Sequence, residues 1–212
     1  MSAIRDNVVQ RATLLFNEKG FFNVSMQEIA KSLNISPGNL TYHFPKKENL
    51  LEAIQNEIIA KSKLSIMPKG QLITLAHLED LFHQFFEVQQ AFSFYFSNLQ
   101  YLSHEYQAIV AKYKEVSAQR LLEAQLLVDY YVQTGRFEKE TNRLHHGALI
   151  QNLWISNTFW RLKSELIGGA GFEEALLHVW QTIFPYLTDK GYDEYLELQQ
   201  IRNTQNLEYG ST

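Results

Sequence analysis

The chain has 212 residues, 45% of them hydrophobic and 20% charged, with a formal net charge of −4 at pH 7, the profile of an ordinary soluble globular protein. It contains no cysteine, which excludes disulfides and thiolate metal sites, and no run approaches the ~20 apolar residues of a membrane span. The N-terminus MSAIRDNVVQ carries charge early and lacks the apolar centre of a signal peptide, so the expected location is the cytoplasm.

Helical period runs through nearly every segment. In the first helix Ile4, Val8, Ala12, Leu15 and Phe16 fall on one stripe, and Gly20 suits the position just past its end. Ser25 and Glu28 form a capping box for a second helix, with Val24 and Ile29 placed as a hydrophobic staple. That helix runs to about Leu33. Ser36 caps a third helix with Pro37 at its first position, where a missing N–H costs nothing, and Ile35 and Leu40 form a second staple. Pro45 closes it. KKENLLEAIQNEIIAKSKL then reads as a longer helix with Leu50, Leu51, Ile54 and Ile58 inward. MPKG at 67–70 is the expected domain boundary. Helical patterns follow over 74–96, 98–104, 105–133, 141–165, 172–188 and 192–207, with turns at 134–135 and 167–171. No alternating strand pattern occurs, so the expected fold class is all-α.

The second and third helices, joined by Leu33-Asn34-Ile35-Ser36, make a helix-turn-helix. In DNA-binding units of this kind the second helix lies in the major groove, with its first residues at base edges. Leu40 and Phe44 face inward, which leaves Pro37, Asn39, Thr41, Tyr42 and His43 on exposed faces, with Ser36 and Gly38 at the helix start. Asn and Thr hydrogen-bond base edges, and a Thr methyl or a Pro can touch a thymine methyl. Tyr42 offers a hydroxyl to a phosphate. Lys46 and Lys47 stand beside the backbone N–H groups of the next helix start, which also attract phosphate. Residues 1–63 carry a net charge of +2 and the remainder −6, a small basic end on an acidic body. Similar helix pairs occur in proteins that never touch DNA, so spacing alone leaves this open.

Residues 4–51 resemble the DNA-binding domain of the TetR family of transcriptional regulators. The resemblance is carried by ATLLFNEKGFFNVSMQEIAKSLNISPGNLTYHFPKKENLL at 12–51: Phe16 and Gly20, Ser25 followed by Ile29-Ala30, then Leu40-Thr41-Tyr42-His43-Phe44 and Lys47. Thr41 stands where the family often has tyrosine, and Asn39 is at a variable position, which leaves base preference open. The resemblance implies a three-helix helix-turn-helix domain over 1–66, including the connecting helix 46–66. It also implies a larger helical effector-binding and dimerisation domain over 67–212. A homodimer through helices 141–165 and 172–188 would read a near-palindromic operator, most simply as a repressor released by a small molecule.

Aromatic residues concentrate between 82 and 113. Phe85, Phe92, Tyr95, Phe96, Tyr113, Gln125 and Trp154 are the candidate lining of a site for an apolar or aromatic effector; plain core packing is the alternative for each. Leu149, Leu153, Trp154, Phe159, Leu176, Leu177, Trp180 and Phe184 give the two expected interface helices broad apolar surfaces, which would equally fill a monomer core. The seven histidines form no HExxH or His-x-x-x-His pair, and GxxxxGK[ST], GxGxxG and GxSxG are absent. No metal, cofactor or enzymatic activity is expected. A small-molecule binding module that no longer reads DNA is the main alternative, and a helical enzyme a third.

Overall fold

The computed structural model describes residues 3–62, 66–68, 70, 72–168 and 171–209, and among these there is no β-strand. The helices are α1 (Ala3–Lys19), α2 (Met26–Ser32), α3 (Pro37–His43), α4 (Lys47–Lys61), α5 (Leu75–Ala91), α6 (Ser93–Ser97), α7 (Leu99–Glu105), α8 (Gln107–Gln133), α9 (His146–Ile167), α10 (Phe172–Ile183) and α11 (Asp189–Tyr209). No helix among the described residues is long and apolar enough to cross a membrane. The chain forms two compact units. One comprises residues 1–63 and 87–116, the other 64–86 and 117–212.

The first unit is built on the stripe expected from the sequence. Val8, Ala12, Leu15 and Phe16 of α1 are buried, whereas Ile4 is exposed. Ile29 and Ala30 of α2, Leu40 and Phe44 around α3, and Leu50, Leu51 and Ile54 of α4 complete the helix-turn-helix core. The same core takes in Phe92, Phe94, Tyr95, Leu102 and Ile109, from a stretch that sequence analysis assigned to the larger domain.

The helix expected over 74–96 is interrupted at Phe92, and Asn17 of α1 accounts for the break. Its Nδ2 donates to the carbonyl of Ala91 at 2.9 Å, while its Oδ1 accepts from Ser93 Oγ at 2.8 Å and from the N–H of Phe94 at 3.0 Å. One amide thus satisfies groups on both sides of the interruption, which would otherwise lack a helical partner. Phe92, Phe94 and Tyr95 turn into the core. Buried Gln55 of α4 spends its Nε2 on Tyr95 Oη and on the carbonyl of Ile109, both at 2.9 Å. Burial pushes the Tyr95 hydroxyl's pKa well up, against the smaller lowering effect of Gln55.

The second unit packs Leu75 and Leu78 of α5 and Leu127, Val128 and Tyr131 of α8 with Leu149 and Ile150 of α9 and Leu176, Val179, Trp180 and Ile183 of α10. Trp180 Nε1 donates to Glu79 at 2.9 Å. The helix expected from 141 begins at His146. Thr141 Oγ1 accepts from the N–H groups of Arg143 and Leu144 at 3.2 and 3.1 Å, a local turn that competes with the helix. The helix expected over 172–188 ends at Ile183, followed by a 3-10 turn over Phe184–Tyr186. Phe137 bridges Leu187, and a Cβ on Gly191 would stand 2.1 Å from the carbonyl oxygen of Arg136, so the close approach of these two connections requires glycine.

Leu149, Leu176 and Trp180, expected to widen an interface, lie inside this core. The large apolar residues left exposed on α9 are Ile155, Phe159 (47% exposed), Leu162 and Leu166 (73%), with Ile167 at the helix end and Leu177 on α10. Ile155, Phe159, Leu162 and Leu166 are spaced by four, three and four residues, which is one face of a helix.

Candidate nucleic-acid interface

Local chemistry sets the helix-turn-helix. Ser25 Oγ accepts from the N–H of Glu28 at 3.1 Å and starts α2. A hydrogen bond from Lys19 holds the Glu28 carboxyl below its usual range. Asn34, with φ 54°, carries the chain through the turn in the left-handed region that asparagine tolerates. Ser36 Oγ accepts from the N–H of Asn39 at 3.1 Å, with Pro37 in the first turn of α3. Both expected staples have their inner members buried: Val24, Ile29 and Leu40.

With Leu40 and Phe44 buried, α3 presents Pro37, Gly38, Asn39, Thr41 and Tyr42 outward, and Tyr42 is 83% exposed. Its ring meets that of His43 edge-on, with centroids 5.2 Å apart. The Thr41 hydroxyl donates back to the carbonyls of Pro37 and Gly38. His43 is half-buried. Its carbonyl accepts from Arg5 Nη1 at 3.1 Å, and the Arg5 guanidinium lies 4.4 Å from the Phe44 ring centroid. Arg5 therefore pins the end of α3. No sequence signal marks it, because its partners are 38 and 39 residues away. At the start of α4 the N–H of Lys46 donates to Asn49 Oδ1 at 3.2 Å, and Lys46 is exposed.

Lys47 departs from expectation. Its ammonium points inward, donating to the carbonyls of Phe21 at 2.6 Å and Val24 at 2.8 Å. It also lies 3.9 Å from the Phe21 ring centroid and 5.0 Å from that of Phe16. Burial lowers its pKa. The charge expected to meet phosphate is used to hold the turn between α1 and α2. Lys47→Met, which keeps the stem and removes the donors, is expected to lower stability by about 2 kcal/mol. The check is the shift in denaturant midpoint at fixed protein concentration, and an unchanged midpoint would remove Lys47 from the turn's support.

The candidate effector residues divide between the units. Phe92 and Tyr95 are packed in the first core with the half-buried Phe96 against it, and Tyr113, also half-buried, belongs to the same unit. Phe85, Gln125 and Trp154 are half-buried and belong to the second unit, where Gln125 Nε2 donates to Asp129 at 2.9 Å.

Comparison with known proteins bears on this arrangement. A family model described as bacterial regulatory proteins, tetR family, matches residues 8–54, and one described as TetR, bacterial transcriptional repressor, matches residues 61–195. A solved TetR-family transcriptional regulator from Marinobacter aquaeolei is 25% identical, with a TM-score of 0.84 over 94% of this chain and 98% of that one. A transcriptional regulator from Saccharomonospora viridis, solved in complex with choline, shares the fold at 16% identity, with a TM-score of 0.71 over 86% of this chain and 96% of that one. Among curated proteins, YttP of Bacillus subtilis, named as an HTH-type transcriptional regulator, is 26% identical over 130 residues, 61% of this chain and 58% of its own. IcaR of Staphylococcus aureus, named as a negative regulator of the biofilm operon icaADBC, is 39% identical over 49 residues, 23% of this chain and 26% of its own. The match therefore spans little more than half of the first relative and about a quarter of the second.

Proposed function

The chain belongs to the TetR family of bacterial transcriptional regulators, and from that premise we propose that it is a cytoplasmic repressor that reads a near-palindromic operator as a homodimer and releases it on binding a small, largely apolar effector. The family is one of regulators, not enzymes. The observation that carries the DNA reading is the outer face of α3, where Asn39, Thr41 and the almost fully exposed Tyr42 stand beside Lys46 at the start of α4. Asn39 and Thr41 meet base edges in this reading, while Tyr42 and Lys46 meet phosphates. The negative regulation named for IcaR, whose match is about as long as the helix-turn-helix region, supports repression.

The exposed stripe Ile155, Phe159, Leu162 and Leu166 of α9, with Leu177 of α10, supports a homodimer through these helices. A twofold dimer sets two recognition helices about 34 Å apart, or a multiple of that, along the duplex. The effector reading rests, within the second unit, on the half-buried Phe85 and Trp154, with Gln125 as a polar contact, whereas Phe92 and Tyr95 of the first unit are already committed to packing. The choline complex of the Saccharomonospora viridis neighbour supports a small-molecule site in this fold. Release requires that the effector bind the conformer with wrongly spaced recognition helices better than the operator-bound one.

The test is selection of random duplexes on the purified protein, followed by a salt series. A palindrome is expected to enrich. Tyr42→Phe and Lys46→Ala should weaken binding across sequences, and Lys46→Ala should reduce the slope of log K against log salt by about 0.9. Failure to enrich any duplex at low salt would leave the binding-module alternative.

A further inference from the structure

The hydroxyl of Thr41 is engaged before any duplex arrives. Its Oγ1 donates to the carbonyl of Pro37 at 2.9 Å and to that of Gly38 at 3.2 Å. A hydroxyl has one hydrogen and two lone pairs. With the hydrogen shared between two carbonyls of its own helix, Thr41 offers outward an oxygen that accepts, with a methyl beside it. The residue is exposed, one turn into α3. The back-bond also fixes χ1, already restricted in a β-branched side chain, so the acceptor and the methyl have set directions. Turning the hydroxyl to donate outward would strip a hydrogen bond from both carbonyls just where docking removes water.

We propose that Thr41 is a specificity-determining residue that accepts a hydrogen bond from an exocyclic amino group, adenine N6 or cytosine N4, in the major groove of the operator. The inference rests on α3 entering that groove, as proposed above. Every base pair there carries one amino donor and one carbonyl acceptor, on opposite strands. An acceptor-only side chain therefore selects which strand carries the amino group, at one base pair in each half-site. Thymine O4 or guanine O6 in the same place would oppose lone pair to lone pair.

The test compares the duplexes enriched by the full-length protein with those enriched by Thr41→Val and Thr41→Ser. Valine keeps the shape and a methyl but has no acceptor, whereas serine keeps the acceptor. The position is exposed, so both variants should fold. Preference at one base pair per half-site is expected to fall by about three- to tenfold in Thr41→Val, the worth of one neutral hydrogen bond, and to persist in Thr41→Ser. At that pair, the adenine analogue without its 6-amino group or the cytosine analogue without its 4-amino group should weaken the wild type by the same factor and leave Thr41→Val unaffected. The two analogues also tell adenine from cytosine. An unchanged preference in Thr41→Val would overturn the proposal, since the methyl alone would then be reading. Equal loss in both proteins on removing the amino group would overturn it too. In either case the DNA reading itself would stand; enrichment of no duplex by any of the three proteins would overturn both.

Discussion

Glu194→Ala is expected to lower the unfolding free energy by about 3 kcal/mol, because it strips the partner from the buried Arg136 guanidinium although Glu194 itself is only half-buried. Glu194 Oε2 accepts from Nε of the buried Arg136 at 2.6 Å, and its other oxygen accepts from the N–H of Leu75 at 2.7 Å. One carboxylate of α11 therefore neutralises the end of the α8 connection and caps the start of α5. Removing it leaves a buried guanidinium and an open helix N–H at once. Tyr131, whose hydroxyl donates to the carbonyl of Thr74 at 2.9 Å, packs in the same region and would lose order with them. Glu194→Gln, which keeps the acceptor but not the charge, should fall between. The measurement is denaturant unfolding at a fixed protein concentration, because association contributes to apparent stability. A loss below 1 kcal/mol for the alanine variant would show that the pair is replaced by water at little cost.

If the proposed homodimer forms through α9, the double variant Phe159→Glu, Leu166→Glu is expected to turn it into monomers and to weaken binding to the proposed operator by about a hundredfold or more. Joining two half-site readers typically raises affinity by ~10²–10⁴ over one alone, and that gain disappears when they separate. Phe159 and Leu166 are exposed in a single chain, so charge there should leave the folded core nearly unchanged, while in a dimer it would be buried without a partner. Sedimentation or light scattering reads the oligomeric state, and a duplex titration reads the affinity. A variant that stays dimeric at micromolar concentration would move the interface away from this stripe.

The two effects differ in kind. The Arg136–Glu194 pair ties elements within one unit, so its loss is read in stability. The α9 stripe is exposed in the single chain, so a change there is expected to be read in association. Lys47 belongs with the first group. Although it stands at the edge of the proposed DNA face, its ammonium serves the turn before α2.

Much of the helix-turn-helix was legible because its determinants are local. A cap, a proline at the first helical position and a staple each act across three to five residues. Thus Ser25, Ser36, Pro37, Val24 with Ile29 and Leu40 could be placed from spacing, and the 3.6-residue period identified Val8, Ala12, Leu15 and Phe16 as core. Residue types could nominate Asn39, Thr41 and Tyr42, since polar and aromatic groups on the face opposite Leu40 and Phe44 must meet water or a partner.

By itself, then, the sequence determined the all-α class, the helix-turn-helix with its caps and inward faces, and the family, because each depends on neighbours in the chain or on a contiguous string. The tertiary structure alone decided where long side chains end. Lys47 turns to carbonyls 23 and 26 residues away, Asn17 meets groups 74 to 77 residues on and accounts for the break at Phe92, and Glu194 reaches back 58 and 119 residues. It also decided which apolar residues are core, such as Phe92, Tyr95 and Trp180, and which stay exposed, such as Phe159 and Leu166. The physical reason is that burial and charge pairing depend on distances through space, and hydrophobic periodicity specifies a helix face without specifying what covers it.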